Sequence, residues 1–89
     1  MNRTEILDTA KELTCGDRNR DYGPPKENHT RIAALWNAYI FGMPKNELNA
    51  VDVILMMDLV KTARLQESPD HADSWVDKCG YSAIGLECN

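Results

Sequence analysis

Two aspartates near the C-terminal end of the sequence, Asp73 and Asp77, have a spacing that suits a metal ion. Residues four apart on a helix lie on the same face, where two carboxylates repel each other unless water, a basic group or a cation separates them. Mg²⁺ prefers oxygen ligands, and proteins often bind it through one or two carboxylates together with the phosphates of a ligand. Because the helix dipole also favours acidic residues in the first turn, a solvated or salt-bridged face is the alternative.

Two basic residues, Lys61 and Arg64, are candidates for holding an anion. Asp58 lies three residues before Lys61, and Arg64 three residues after it, so the three are predicted to form one polar strip on an otherwise apolar helix. An arginine offers a planar fork of donors and a lysine a point charge, which together suit a phosphate or a carboxylate. The alternative is an internal strip of ion pairs that keeps the helix soluble.

The third candidate is the segment 17–25, in which two prolines and a glycine exclude regular structure. Its Arg18 and Arg20 could pair with neighbouring aspartates, or they could reach an anion while Tyr22 stacks on a flat ring. Arginines beside an aromatic side chain are a common means of holding nucleotides, and loops often carry function. Both interpretations stay open.

Apolar residues recur at helical spacing in four stretches, and the alternation typical of strands is absent. The four predicted helices span residues 4–13, 26–41, 51–65 and 72–87. Thr4 is the expected N-cap of the first helix, whereas Asn49 and Asp52 are spaced as the capping box of the third. The tryptophans, Trp36 and Trp75, fall within apolar stripes and are expected in the core. The predicted fold class is therefore all-α, a small bundle of about four helices.

The length of 89 residues is enough for a single domain, which we expect to span residues 1–89. A chain of this length buries only about 60–65% of the surface that its unfolded form exposes, so its core is marginal. The third predicted helix is apolar on nearly every side and needs cover on several faces. We therefore expect a homo-oligomer, either a dimer or a larger assembly.

The net charge of −4 disfavours binding to duplex nucleic acid, which needs a basic face. The longest apolar run, residues 53–57, is far shorter than the roughly 20 residues that span a bilayer, and residues 1–8 lack the apolar segment of a signal peptide. The three cysteines form no Cys-x-x-Cys pair, which argues against disulfides. We expect a cytoplasmic protein without a membrane partner.

Three segments of the sequence resemble a family of short phage and prophage proteins that carry no assigned activity. The segments are residues 17–24, residues 52–57 together with Lys61 and Arg64, and residues 73–81. The similarity covers nearly the whole chain. It implies a genomic setting, and hence the cytoplasm of a bacterial host, more than it implies a chemistry.

A more distant resemblance concerns the pattern Asp-x-x-x-Asp-x-x-Gly-Tyr-x-x-x-Gly over residues 73–85. It is similar to the last core helix of the all-α nucleotide pyrophosphohydrolases, the MazG and dimeric dUTPase kind. Those enzymes work as dimers or tetramers, and they hydrolyse nucleoside triphosphates with Mg²⁺ held by acids from two neighbouring helices. The resemblance implies that Asp73 and Asp77 are metal ligands. Those enzymes also have a Glu-Glu-x-x-Glu run on an earlier helix, and the corresponding helix of this chain has a single acid, Glu27.

Two functions of different classes follow from these residues. The first is a phage-type nucleotide-binding protein that acts as a Mg²⁺-dependent nucleoside triphosphate pyrophosphohydrolase. In that hypothesis the metal ligands are Glu27, Asp73 and Asp77. The ligand-binding residues are Arg18, Arg20, Tyr22, Lys61 and Arg64. The alternative is a non-catalytic binder that sequesters a nucleotide-derived signal or another small phosphate-bearing ligand, or that binds a host protein.

Overall fold

The computed structural model describes residues 1–16, 21–43 and 47–89, and this part of the chain contains four α-helices and no β-strand. The helices are α1 (Arg3–Cys15), α2 (Pro25–Phe41), α3 (Ala50–Glu67) and α4 (Ala72–Gly85), and a short 3₁₀ helix (Leu86–Cys88) follows α4. The predicted all-α fold is therefore confirmed. The predicted fourth helix is divided, because its last turn tightens into the 3₁₀ form.

Side chains at the N-terminal ends fix where two helices begin. In α3, Asn49 accepts a hydrogen bond from the backbone N–H of Asp52, and Asp52 accepts one from the backbone N–H of Asn49, both at 2.9 Å. This confirms the predicted capping box. The predicted cap of α1 was wrong, since Thr4 lies inside the helix and Asn2 forms a capping box with Glu5 instead.

Two features define the connection between α2 and α3. Gly42 ends α2 in the left-handed conformation, with a φ of 79°, which glycine adopts without steric strain. The Asn37 side chain, only 2% exposed, donates to the carbonyl of Leu48 at 3.1 Å and accepts from its N–H at 3.0 Å. This pair of bonds fixes the start of α3 against α2.

The core lies where α3 packs between α2 and α4, while α1 packs against α4. Val53 on α3 and Val76 on α4 are almost completely buried. A second cluster joins Ala50 and Ile54 of α3 to Cys88 of the 3₁₀ helix. Most of the buried apolar side chains are small, so the core is modest, as expected for a chain of this length.

Many large apolar side chains remain at the surface of this flattened molecule, which measures 43 × 31 × 20 Å. Its thinnest dimension is about the diameter of two helices. Exposed examples are Leu35 and Tyr39 on α2, Leu55 and Leu59 on α3, and Trp75 on α4. The prediction that Trp75 lies in the core was wrong; its indole N–H donates to the Pro69 carbonyl at 2.9 Å, which holds the ring at the surface.

None of the helices in the described part of the chain combines the length and hydropathy needed to cross a bilayer.

Candidate functional site

A cleft of about 330 Å³ lies between the C-terminal end of α1 and the facing sides of α2, α3 and α4. Its volume is at the lower end of the range of small-molecule sites in proteins. Leu13, Ile32 and Met57 contribute apolar surface, while Trp36 and Tyr81 contribute aromatic rings. A cleft with mixed apolar, aromatic and polar walls is typical of binding sites for small organic ligands.

An ion pair between Lys61 of α3 and Asp77 of α4 lies in the wall of this cleft. The Lys61 ammonium is 3.1 Å from the Asp77 carboxylate, and the two side chains are 10% and 35% exposed, respectively. A buried ammonium loses its hydration, so a carboxylate or another acceptor must compensate it. Of the cleft-lining residues that the structure describes, Lys61 is the sole lysine or arginine and Asp77 the sole carboxylate.

The predicted polar strip on α3 is divided between two environments. Lys61 faces the cleft, whereas Asp58 pairs with Lys78 of α4 at 2.9 Å, and the same ammonium donates to the Thr62 hydroxyl at 2.6 Å. Arg64 is exposed and does not line the cleft. The ion partners of Asp58 and Lys61 come from α4 and not from the same helix, so the ion pairs join two helices and do not form an internal strip on α3.

The structure does not gather the three predicted metal ligands. Glu27 and Asp73 are exposed and lie outside the cleft lining, so Asp77 is the one member that faces it. Successive residues of a helix are 100° apart, so a cleft-facing His29 directs Glu27, two residues earlier, to the other side of α2. Within residues 1–16, 21–43 and 47–89, no three His, Cys, Asp or Glu side chains form a group that could hold a metal ion.

Tyr22 lines the cleft, as part of the segment that leads into α2. Its side chain is 54% exposed, and its backbone carbonyl accepts a hydrogen bond from the Arg31 guanidinium at 2.8 Å. Gly23, which follows, has a φ of 80° that turns the chain towards α2. The other two predicted residues of this segment, Arg18 and Arg20, lie outside the described residues.

Sequence reasoning missed three polar residues of the cleft, Thr14, Asn28 and His29. The His29 side chain is buried, and its Nδ1 is 2.7 Å from the Pro25 carbonyl oxygen. A lone histidine without metal-ligand spacing gave no reason to single it out. The available signal was its position, three residues before Ile32 and seven before Trp36, which places His29 on the inward stripe of α2.

The three cysteines, Cys15, Cys79 and Cys88, are free thiols in the structure.

Comparison with known proteins identifies relatives in bacteriophages. The chain is 48% identical over 79 residues to the "Gene 55 protein" of Mycobacterium phage L5 and 39% identical over 77 residues to the "Gene 55 protein" of Mycobacterium phage D29. These alignments cover 89% and 86% of this chain but only 49% and 48% of the two relatives, so the chain spans about half the length of each. The relatives confirm the predicted resemblance to phage proteins.

No solved structure matches the chain. The model of the family described as a domain of unknown function, DUF6378, matches residues 5–89. The chain therefore belongs to the DUF6378 family.

Proposed function

We propose that this protein binds a small phosphate-bearing ligand of the nucleotide type in the cleft between its helices. The observation that carries the proposal is the buried Lys61 ammonium in the cleft wall. An ammonium has three N–H donors, and Asp77 is its one ion-pair partner among the described residues. The remaining donors can bind a phosphate oxygen, for which lysine provides a compact positive charge.

The aromatic residues of the cleft support a ligand with a flat ring. Trp36 and Tyr81 line the cleft, as does the more exposed Tyr22. Every nucleobase has a face that stacks on such side chains, and each stacking contact contributes about 1–3 kcal/mol to binding. Asn28 adds an amide that both donates and accepts hydrogen bonds, as required to recognise the edge of a base or a sugar.

Binding, and not hydrolysis, is the activity that this geometry favours. The resemblance to all-α pyrophosphohydrolases supports a nucleotide as the ligand class, and it implies Mg²⁺ and triphosphate hydrolysis as well. Mg²⁺ at Asp77 would have to replace the Lys61 ammonium, while Glu27 and Asp73 are exposed outside the cleft. Metal-assisted phosphoryl transfer needs several converging acids to place the ion.

Relatives in phages are consistent with a protein that sequesters a nucleotide or a nucleotide-derived signal of the infected cell.

Self-association is part of the same proposal. Leu35 and Tyr39 on α2 are 70% and 91% exposed, and Leu55 and Leu59 on α3 are 59% and 64% exposed. Each pair is four residues apart and so lies on one face of its helix. Apolar faces of this kind are usually covered by another protein surface. We expect light scattering after size exclusion to give a homo-oligomer, and Leu55→Ser with Leu59→Ser to reduce its mass.

Isothermal titration calorimetry with common nucleoside mono-, di- and triphosphates tests the binding function, first in EDTA and then in Mg²⁺. We expect saturable binding in EDTA, and no release of pyrophosphate from triphosphates in Mg²⁺. Lys61→Met should abolish binding, whereas the same change at the exposed Lys11 should leave it unaltered. Absence of binding to every nucleotide would refute the proposal, and pyrophosphate release would favour the hydrolase instead.

A further inference from the structure

The hydrogen bond of His29 defines the tautomer of its ring. Nδ1 lies 2.7 Å from the Pro25 carbonyl oxygen, which has no hydrogen and can only accept. Nδ1 therefore carries a proton and donates it to this bond. In the neutral ring the other nitrogen, Nε2, then has a lone pair and acts as an acceptor.

Nε2 is open to a ligand. It has no hydrogen-bond partner in the part of the chain that the structure describes. Every side-chain nitrogen or oxygen in this part of the chain that solvent cannot reach has a hydrogen-bond partner. Because Nε2 has none, it must contact solvent. The rest of the side chain is buried, the residue being 8% exposed, and the residue lines the cleft. The surface through which a ligand reaches this nitrogen is therefore the cleft.

We propose that His29 determines ligand specificity, with Nε2 accepting a hydrogen bond from an N–H or O–H group of the bound molecule. This inference rests on the proposed binding function. The Lys61 ammonium can bind any phosphate group, so it does not distinguish one phosphate-bearing ligand from another. Selection then depends on hydrogen bonds, because a ligand without a donor leaves the buried acceptor unpaired. The favoured class is a nucleoside phosphate, whose base or sugar has amino or hydroxyl donors in addition to the phosphate group.

Two substitutions separate the binding role of His29 from its structural role. The amide nitrogen of asparagine is bonded to Cγ, as Nδ1 of histidine is. His29→Asn can therefore keep the hydrogen bond to the Pro25 carbonyl, but it has no group at the position of Nε2. The amide oxygen of glutamine lies two bonds from Cγ, as Nε2 of histidine does. His29→Gln therefore keeps an acceptor facing the cleft, but it loses the hydrogen bond to the Pro25 carbonyl. If His29 selects the ligand, the two variants should show opposite defects.

The test uses the full chain at about pH 8, where imidazoles are ordinarily neutral. The ligands are the common nucleoside 5′-monophosphates and inorganic phosphate. We expect His29→Asn to weaken nucleotide binding by about three- to tenfold, the effect of one hydrogen bond, without changing the weak binding of phosphate. His29→Gln should bind nucleotide nearly as the wild type does and unfold at a lower denaturant concentration. Equal nucleotide affinity of His29→Asn and the wild type would overturn the proposal, as would equal losses in the two variants.

Proton–nitrogen NMR of the wild-type His29 ring gives a second readout that needs no variant in the cleft. Long-range proton–nitrogen spectra should show Nδ1 protonated and Nε2 unprotonated, with His71→Gln assigning the other histidine. Addition of nucleotide should move the Nε2 resonance to lower frequency, as expected when a lone pair accepts a hydrogen bond. If nucleotide binds and the Nε2 resonance does not move, the specificity role of His29 is overturned while the binding function stands. If the wild-type protein binds no nucleotide, both the proposed binding function and this inference are refuted.

Discussion

Replacing Asp77 by asparagine should destabilise the protein more than removing its partner does. The Lys61 side chain is 10% exposed and that of Asp77 is 35% exposed. Asp77→Asn leaves a buried ammonium without a counter-charge, whereas Lys61→Met leaves a carboxylate that water can still reach. Removing one partner of a fully buried pair costs about 3–5 kcal/mol. Because Asp77 is partly exposed, we expect a smaller loss of about 2 kcal/mol for Asp77→Asn.

The loss for Lys61→Met should be under about 1 kcal/mol, since methionine retains most of the apolar packing of the lysine stem. The double variant should be more stable than Asp77→Asn alone, because the uncompensated charge is then absent. Urea unfolding followed by far-ultraviolet circular dichroism, at one fixed protein concentration, measures all three differences. In a thermal scan, about 2 kcal/mol corresponds to a decrease of about 10 °C in Tm for a domain of this size.

Equal losses of stability for the two single variants would contradict this prediction, because they would mean that burial does not distinguish the two charges. A double variant less stable than Asp77→Asn would also refute it.

Three further predictions concern stability and thiol chemistry. Asn37→Ala should lower the free energy of unfolding by about 2–3 kcal/mol in urea, because both backbone groups of Leu48 lose their partner; a loss below 0.5 kcal/mol, on the order of a surface substitution, would contradict this. Gly42→Ala should cost about 1 kcal/mol through backbone strain alone, since no heavy atom lies within 4 Å of the added methyl group; an unchanged unfolding midpoint would argue against the left-handed conformation. Burial raises the pKa of the Cys88 thiol above its ordinary 9.0. Iodoacetamide should therefore modify the exposed Cys15 first, as followed by mass spectrometry. The contribution of Cys88 to stability should decrease as the pH rises above 9.0, because the thiol then ionises more readily in the unfolded chain. Faster labelling of Cys88 would contradict its burial.

Local features of the fold were predictable from the sequence. The bounds of α2 and the capping box of α3 depend on residues a few positions apart, so proline, glycine and capping side chains determine them. The cap of α1 was assigned wrongly because both Asn2 and Thr4 are good capping residues. Asn2 is preferred since Glu5, three residues later, completes a capping box with it.

Features that depend on how the helices are rotated against each other were not predictable in the same way. The sequence placed Lys61 beside Asp58 on one helix, but its partner Asp77 is contributed by α4, sixteen residues further along the chain. Both tryptophans lie on helical stripes, yet Trp36 lines the cleft while Trp75 is 44% exposed. Hydrophobic periodicity gives the face of a helix and leaves open which neighbour, or which cleft, that face meets.

The most direct test of the cleft as a nucleotide site is the fluorescence of Trp36 in the Trp75→Phe variant, which has no other tryptophan. Trp36 lines the cleft together with Lys61. We predict that titration with nucleotides changes its emission saturably, and that adding Lys61→Met to the same variant abolishes the change. Emission that stays constant for every nucleotide, or that changes equally with and without Lys61, would show that this cleft is not a nucleotide site held by Lys61.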